Sequence, residues 1–241
     1  MASVGEHYEK VLADVYSWMF GGFDCGIQRN TEFFETLGLK PGGSGIAVDL
    51  GAGCGFQSIP LARAGYAVTA IDIDTKLLDE LRTHCGDLPV TIVQDDLMNF
   101  DEYVQNNAEL IICMTDTLLH LDSREKVDSL FTKVFTALEP GGKFIITFRD
   151  LTYELKETDR FLPARSDDNI IFTCFLEYEP DTVKVHDIVY KKVDSKWDLF
   201  KSWYRKLRLS KQWVDAQLAK HGFNEVNSTV ENGLVAIFAR K

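Results

Sequence analysis

The sequence is short of cysteine chemistry. Its five cysteines, Cys25, Cys54, Cys85, Cys113 and Cys174, are odd in number and nowhere form a C-x-x-C pair. That pattern argues against a disulfide framework and for reduced thiols, with Cys113, inside an apolar run, as plain core. The five histidines are scattered without zinc-ligand spacing, so no metal is implied. No apolar run reaches the roughly 18 residues that cross a bilayer. The opening MASVGEHYEK lacks the apolar centre of a secretion signal. A cytoplasmic protein with no membrane partner is expected. Basic residues are outnumbered, 26 against 37 acidic, for a net charge of −11. Nonspecific nucleic-acid binding rests on neutralising phosphates, so this balance argues against a nucleic-acid partner. Internal repeats and low-complexity segments are missing too.

What is present is material for a core. The 241 residues are 45% hydrophobic and 12% aromatic, enough for one α/β domain with an insertion. Tyr8, Val11, Leu12, Val15 and Met19 mark one helical face that stops at Gly21-Gly22, and a second short helix fits 30–37. From Ile46 the pattern becomes βαβ. Strands are expected at 46–50, 67–71, 90–93, 110–114 and 143–148. Helices are expected between them, one capped by Asp74 and one opened by a capping box of Asp122 and Glu125. This alternation implies a parallel sheet covered on both faces. After Arg149 the pattern changes to three strands at 170–178, 183–190 and 197–207, an antiparallel insertion. A helix capped by Ser210 and a hairpin through Glu231-Asn232-Gly233 close the chain.

The stretch VDLGAGCGFQSIPLARAGYAVTAIDID, Val48 to Asp74, carries the chemistry. Gly51, Gly53 and Gly55 follow a strand that carries Asp49, and a ligand can approach their backbone closely. Asp72 lies 21 positions after Gly51, at the end of the next strand, where a carboxylate can accept from both hydroxyls of a ribose. A nucleoside-containing ligand follows. The dinucleotide fingerprint wants glycine where Phe56 stands, and Asp49 would repel a pyrophosphate. A nucleoside bearing a sulfonium and an ammonium, S-adenosylmethionine, suits the acids better than NAD does.

VDLGAGCG, AIDID, VQDDL, LIICMTDTLLHL and ALEPGGKFIITF together resemble the class I S-adenosylmethionine-dependent methyltransferases. The resemblance covers about residues 44–150 and, more loosely, the closing helix and hairpin. It implies a Rossmann-like, doubly wound, seven-stranded α/β sheet, mostly parallel with an antiparallel final hairpin. Four regions are expected: a helical lid over 1–43, a cofactor-binding core over 44–150, an acceptor-covering insertion over 151–209, and core closure over 210–241. By motif, Gly51 and Gly53 meet the methionine part of S-adenosylmethionine and Asp49 orients its ammonium. Asp72 holds the ribose. Asp96, rather than Asp95, accepts from the adenine amino group beside the Leu97 N–H, and Met114 lies along the methionine moiety.

The acceptor side is less determined. The insertion is similar to that of small-molecule enzymes such as glycine N-methyltransferase, where it roofs the acceptor pocket. The expected partners are a small-molecule acceptor with an N or O nucleophile and a second copy in a homodimer. Asp116, His120 and Tyr204 are unranked candidate bases. Arg149, Arg160 and Arg205 are candidate clamps for an acidic group of the acceptor, with solvated arginines as the plainer reading. Tyr16 is expected in a lid hinged at Gly21, Gly22 and Gly26, with permanent core packing as its plainer reading. The rival functions are an NAD-dependent oxidoreductase and a non-catalytic cofactor-binding protein.

Overall fold

The computed structural model describes residues 4–104, 107–231 and 233–241. The first three residues of the opening segment and Asn232 of the closing turn lie outside the described residues.

The chain opens with helical turns of changing pitch: α1 (Val4–His7), a wide π turn (Tyr8–Leu12), a tight 3-10 turn (Ala13–Val15) and α2 (Tyr16–Met19). One uninterrupted helical face was the expectation. The change of pitch lets Val11, Leu12 and Val15 bury together while Tyr8 and Tyr16 turn elsewhere. The second helix, α3 (Phe23–Thr36), begins at Gly22 and is longer than expected. Gly26 lies inside it and is no hinge. A Cβ there would come within 2.5 Å of the Phe56 ring, so this glycine is a packing notch.

The expected βαβ order follows as β1 (Ile46–Leu50), α4 (Ser58–Arg63), β2 (Ala67–Asp72), α5 (Thr75–Cys85), β3 (Val90–Gln94), β4 (Ala108–Cys113), α6 (Arg124–Ala137) and β5 (Leu138–Arg149). Asp74 caps α5 by accepting from the Leu77 N–H at 2.9 Å. At α6 the cap is Ser123, which accepts from Lys126 N–H, and Asp122 instead pairs with the Lys126 ammonium.

The insertion is a separate antiparallel sheet of four strands, not three: β6 (Phe161–Ser166), β7 (Ile170–Tyr178), β8 (Thr182–Val193) and β9 (Lys196–Leu207). β6 escaped the sequence reading because every residue of it is exposed and a bulge at Pro163–Arg165 breaks its alternation. After α7 (Lys211–Lys220), β10 (Asn224–Glu231) and β11 (Leu234–Arg240) complete a seven-stranded sheet in the order β10-β11-β5-β4-β1-β2-β3, in which β11 runs against the rest. The strand order reverses between β1 and β4, so a crevice opens at their carboxyl ends.

Candidate functional site

A cavity of about 420 Å³ occupies that crevice. Gly51 and Gly53, Asp72, and the Asp95-Asp96-Leu97 stretch all line it. So the β1, β2 and β3 ends converge there, as the βαβ order requires.

The three glycines do different work. Gly51 and Gly55 have positive φ, and a Cβ on them would come within 2.4 Å of Thr117 and 2.2 Å of Leu81. They allow close packing of the turn against its surroundings. Gly53 also has positive φ (51°), but a Cβ there would meet nothing closer than 3.7 Å. This is the position that exposes backbone to a ligand.

Asp72 ties the turn together. Its Oδ2 accepts from Gly53 N–H and its Oδ1 from Asp74 N–H, both at 2.8 Å. Burial raises its pKa against those bonds. Asp49 lies behind the wall, 1% exposed, and accepts from Ser58 Oγ at 2.6 Å through Oδ2. Its Oδ1 is buried and has no partner among the described residues. Burial, with the Asp72 charge adding to it, pushes this carboxyl up to about 7.

Asp95 spends its carboxylate locally on Tyr103 Oη, Asn99 and the Asp96 N–H. Asp96 accepts from Met98 N–H through Oδ1 at 2.9 Å, and its Oδ2 has no hydrogen-bond partner among the described residues. The free acceptor is therefore on Asp96.

Met114 is not in the cavity wall. It packs with Ala47, Leu110 and Ile112 in a core cluster, and Thr115 and Thr117 line the cavity instead. The chain turns there through two left-handed residues, Thr115 (φ 57°) and Asp116 (φ 68°), a conformation costly for side-chain-bearing residues. Thr147 holds the turn by accepting from Thr115 N–H through Oγ1 at 2.9 Å and from Asp116 N–H through its carbonyl at 3.1 Å.

Asp116 is brought between two cations, Arg149 at 2.6 Å and Lys206 at 2.8 Å. Burial alone would raise its pKa. The charges of Lys206 and Arg149 outweigh that and hold the carboxyl well below the ordinary carboxylate range. A carboxylate so held is a bridge between β5 and β9 and a poor proton acceptor. His120 borders the cavity, and its Nδ1 has no partner among the described residues. Burial, helped by the Lys206 charge, pushes its pKa down to about 3, so the ring is neutral. Tyr204 is stacked on His120, ring centres 5.2 Å apart. Burial and the Asp187 charge raise its pKa well above the usual phenol value, which makes it a hydroxyl donor.

Tyr16 lines the cavity and stacks on Phe56, and Tyr8 lines it too. Arg149 pairs with Asp116 beside the cavity, and neither residue lines it. Arg160 and Arg205 are not brought there. Residues alternate across β9, and Tyr204 and Lys206 point inward, so Arg205 takes the outer face, where it forks onto Glu179 at 2.6 and 2.9 Å. Arg160 lies over the Phe175 ring at 4.9 Å, on that same outer face. Lys206, which pairs with Asp116 behind the cavity wall, is the residue that sequence reasoning missed. Its signal was available, two positions after Tyr204 in a strand of period two.

Residues 47–142 match the family model described as a methyltransferase domain. Phosphoethanolamine N-methyltransferase 2 of Caenorhabditis elegans is 26% identical over 159 residues, 64% of this chain and 35% of that protein. Glycine/sarcosine N-methyltransferase of Aphanothece halophytica is 27% identical over 128 residues, 52% of this chain and 48% of that protein. The chain thus spans from about a third to about half of these relatives. Across nearly the full length the fold is that of an S-adenosylmethionine-dependent methyltransferase from Clostridium acetobutylicum, with a TM-score of 0.72 at 15% identity, covering 97% of this chain and 95% of that one.

Proposed function

We propose, from a chain whose residues 47–142 match the methyltransferase-domain family model, that this protein transfers a methyl group from S-adenosylmethionine to a small amine. One observation carries the choice of cofactor. The cavity wall holds Asp72, Asp74, Asp95, Asp96 and Asp122 against one cation, Lys126, itself paired with Asp122. Such a wall repels a pyrophosphate and attracts a ligand with a sulfonium and an ammonium. NAD would bring its pyrophosphate against these same acids.

The residues present fit the cofactor. The buried, unpartnered Asp49 Oδ1 suits an ammonium or a bridging water, and the open side of Gly53 suits close backbone approach. Asp72 would hold the ribose with the lone pairs its backbone bonds leave free, and Asp96 Oδ2 the adenine amino group. When bound, the cofactor supplies a methyl group activated for in-line displacement. The chain's task is alignment and the exclusion of water. Tyr8, Tyr16 and His120 supply a largely aromatic wall beside Thr115 and Thr117. Aromatic faces attract cations, which suits both a sulfonium and an alkylammonium. An ammonium must lose its proton before its nitrogen attacks. That proton leaves to solvent before the amine is seated, since His120, held at about 3, is too weak a base to take it, and the neutral ring accepts a hydrogen bond from the amine N–H instead. The N-methyltransferase names of the two curated relatives favour nitrogen over oxygen as the acceptor atom.

The test has two arms. Titration calorimetry compares S-adenosylhomocysteine with NAD, and binding of the first alone is expected. Methyl-tritiated S-adenosylmethionine is then incubated with glycine, sarcosine, ethanolamine, phosphoethanolamine and a cell extract. Label in an N-methyl product is expected. NAD binding without S-adenosylhomocysteine binding would overturn the cofactor. Binding without transfer to any acceptor would leave a non-catalytic cofactor-binding protein.

A further inference from the structure

A second buried polar pair lies beside the chamber and is used by none of the roles above. His7, fully buried in α1, places Nε2 2.8 Å from Asp187 Oδ2, and Asp187, on β8, is 1% exposed. The other carboxylate oxygen accepts from Cys174 Sγ at 3.1 Å. Asp187 stands on the inner face of its sheet between Val185 and Val189, both buried. An apolar side chain would suit that position at least as well for holding two elements together.

The pair also fixes a tautomer. With Nε2–H donated to the carboxylate, Nδ1 is left as a bare lone pair, and it has no partner among the described residues. The His7 ring centre is 4.3 Å from that of Tyr204, which in turn stacks on His120. Tyr8, the next residue in the chain, has its ring centre 6.0 Å from His120 and 6.4 Å from Tyr204. Four rings therefore form one cluster, and two of them, Tyr8 and His120, border the cavity. The Asp187 charge reaches both phenols and adds to the burial that keeps them protonated.

We propose that His7 and Asp187 are a positioning pair for the acceptor chamber, fixing the orientation of Tyr8 and Tyr204 through a directional hydrogen bond between the N-terminal segment and the insertion sheet. The proposal rests on the methyl-transfer reading only for what the chamber receives. The ring geometry stands by itself. The pair acts through the tyrosines and does not touch the cavity. Its directionality separates it from a shape-only latch: an apolar pair could hold α1 on β8 but would leave the rings free to shift.

The test uses the full chain with 15N-labelled histidine and ring-13C-labelled tyrosine, free and with S-adenosylhomocysteine. In the wild type, His7 is expected as the Nε2–H tautomer, with Tyr8 and Tyr204 flipping slowly. Asp187→Asn is expected to speed both ring flips by about tenfold, the effect of weakening one charge-assisted hydrogen bond. Affinity for S-adenosylhomocysteine should stay within about threefold of wild type, since the pair does not touch the cavity. His7→Phe, which keeps a ring beside Tyr204 but removes the donor toward Asp187, serves if Asp187→Asn fails to fold, and should act in the same direction. The double variant His7→Leu with Asp187→Val distinguishes the roles. If it restores slow tyrosine flips, the pair is a shape latch and the proposal is overturned. An Nδ1–H tautomer in the wild type, or unchanged flips in the folded single variants, overturns it too. Wild-type protein that binds no S-adenosylhomocysteine would defeat the methyl-transfer reading and leave the tautomer and flip results standing.

Discussion

Asp72 Oδ2 accepts the backbone N–H of Gly53 at 2.8 Å, so the carboxylate at the end of β2 holds the glycine turn that follows β1. Asp72→Ala therefore removes two bonds to the chain's own backbone as well as a ribose contact. Each bond to a charged group contributes about 1.5–3 kcal/mol. The expected outcome is a lower melting temperature and a loss of S-adenosylhomocysteine affinity of at least about a hundredfold, the factor for roughly 2.7 kcal/mol. Calorimetry showing wild-type affinity in a folded variant would remove Asp72 from the site.

Asp49 gives a pH dependence. Its folded pKa of about 7 lies above the ordinary 3.8, so the folded state holds more protons than the unfolded state between those values. Its contribution to stability falls as pH rises through that window and is constant above it. An ammonium bound near Oδ1 favours the ionised form. S-adenosylhomocysteine should thus bind more tightly as pH rises toward 7, with release of a proton. Calorimetry in buffers of different ionisation enthalpy measures that proton, and Asp49→Asn should abolish it.

Two glycine variants should part company. Gly53→Ala puts a Cβ on the open side of the turn and costs about 1–2 kcal/mol for the left-handed conformation. Its main effect should be on ligand affinity. Gly51→Ala adds a contact of 2.4 Å with Thr117 and should mainly lower the melting temperature. Thermal unfolding and titration of both variants check the contrast. Equal losses of affinity per degree of destabilisation would contradict it.

His120 should stay neutral across the physiological range. Its pKa is pushed down to about 3 by burial first and by Lys206 second. Lys206→Met removes that second cause, so the histidine pKa should rise yet stay below the usual value while the ring remains buried. It also leaves Asp116 with Arg149 alone. A histidine NMR titration reads the shift directly. A His120 titration near 6.5 in the wild type would show that the ring is not sealed.

The N-terminal segment should behave in two parts. Val11, Leu12 and Val15 pack on Phe172 and Val189, so their amides should resist hydrogen exchange without ligand. Val4, Gly5 and Tyr8 border the cavity and should gain protection when S-adenosylhomocysteine binds. Equal protection of both parts, unchanged by ligand, would rule out any lid action.

Local pattern alone determined much of this molecule. Hydrophobic periodicity located β1, β2, β4 and the buried part of β5, because a buried parallel strand must be apolar along its length, whereas the mostly exposed β10 was located by the closing hairpin turn. The glycine turn and the acids at the β2 and β3 ends were legible for a related reason: βαβ order brings strand ends to one edge whatever the rest of the chain does. Tertiary structure decided what periodicity leaves open. A period of two says that Tyr204 and Arg205 face opposite ways, but the packing of β9 against the core decides that Tyr204 and Lys206 face in. Met114 was placed by sequence at the end of a strand, and the face of the sheet it joined was not. Lys206 meets Asp116 across 90 positions and His7 meets Asp187 across 180. No local pattern encodes such partners, since each pairing exists only once the insertion sheet has docked over the β4 and β5 ends and the N-terminal segment has packed against it.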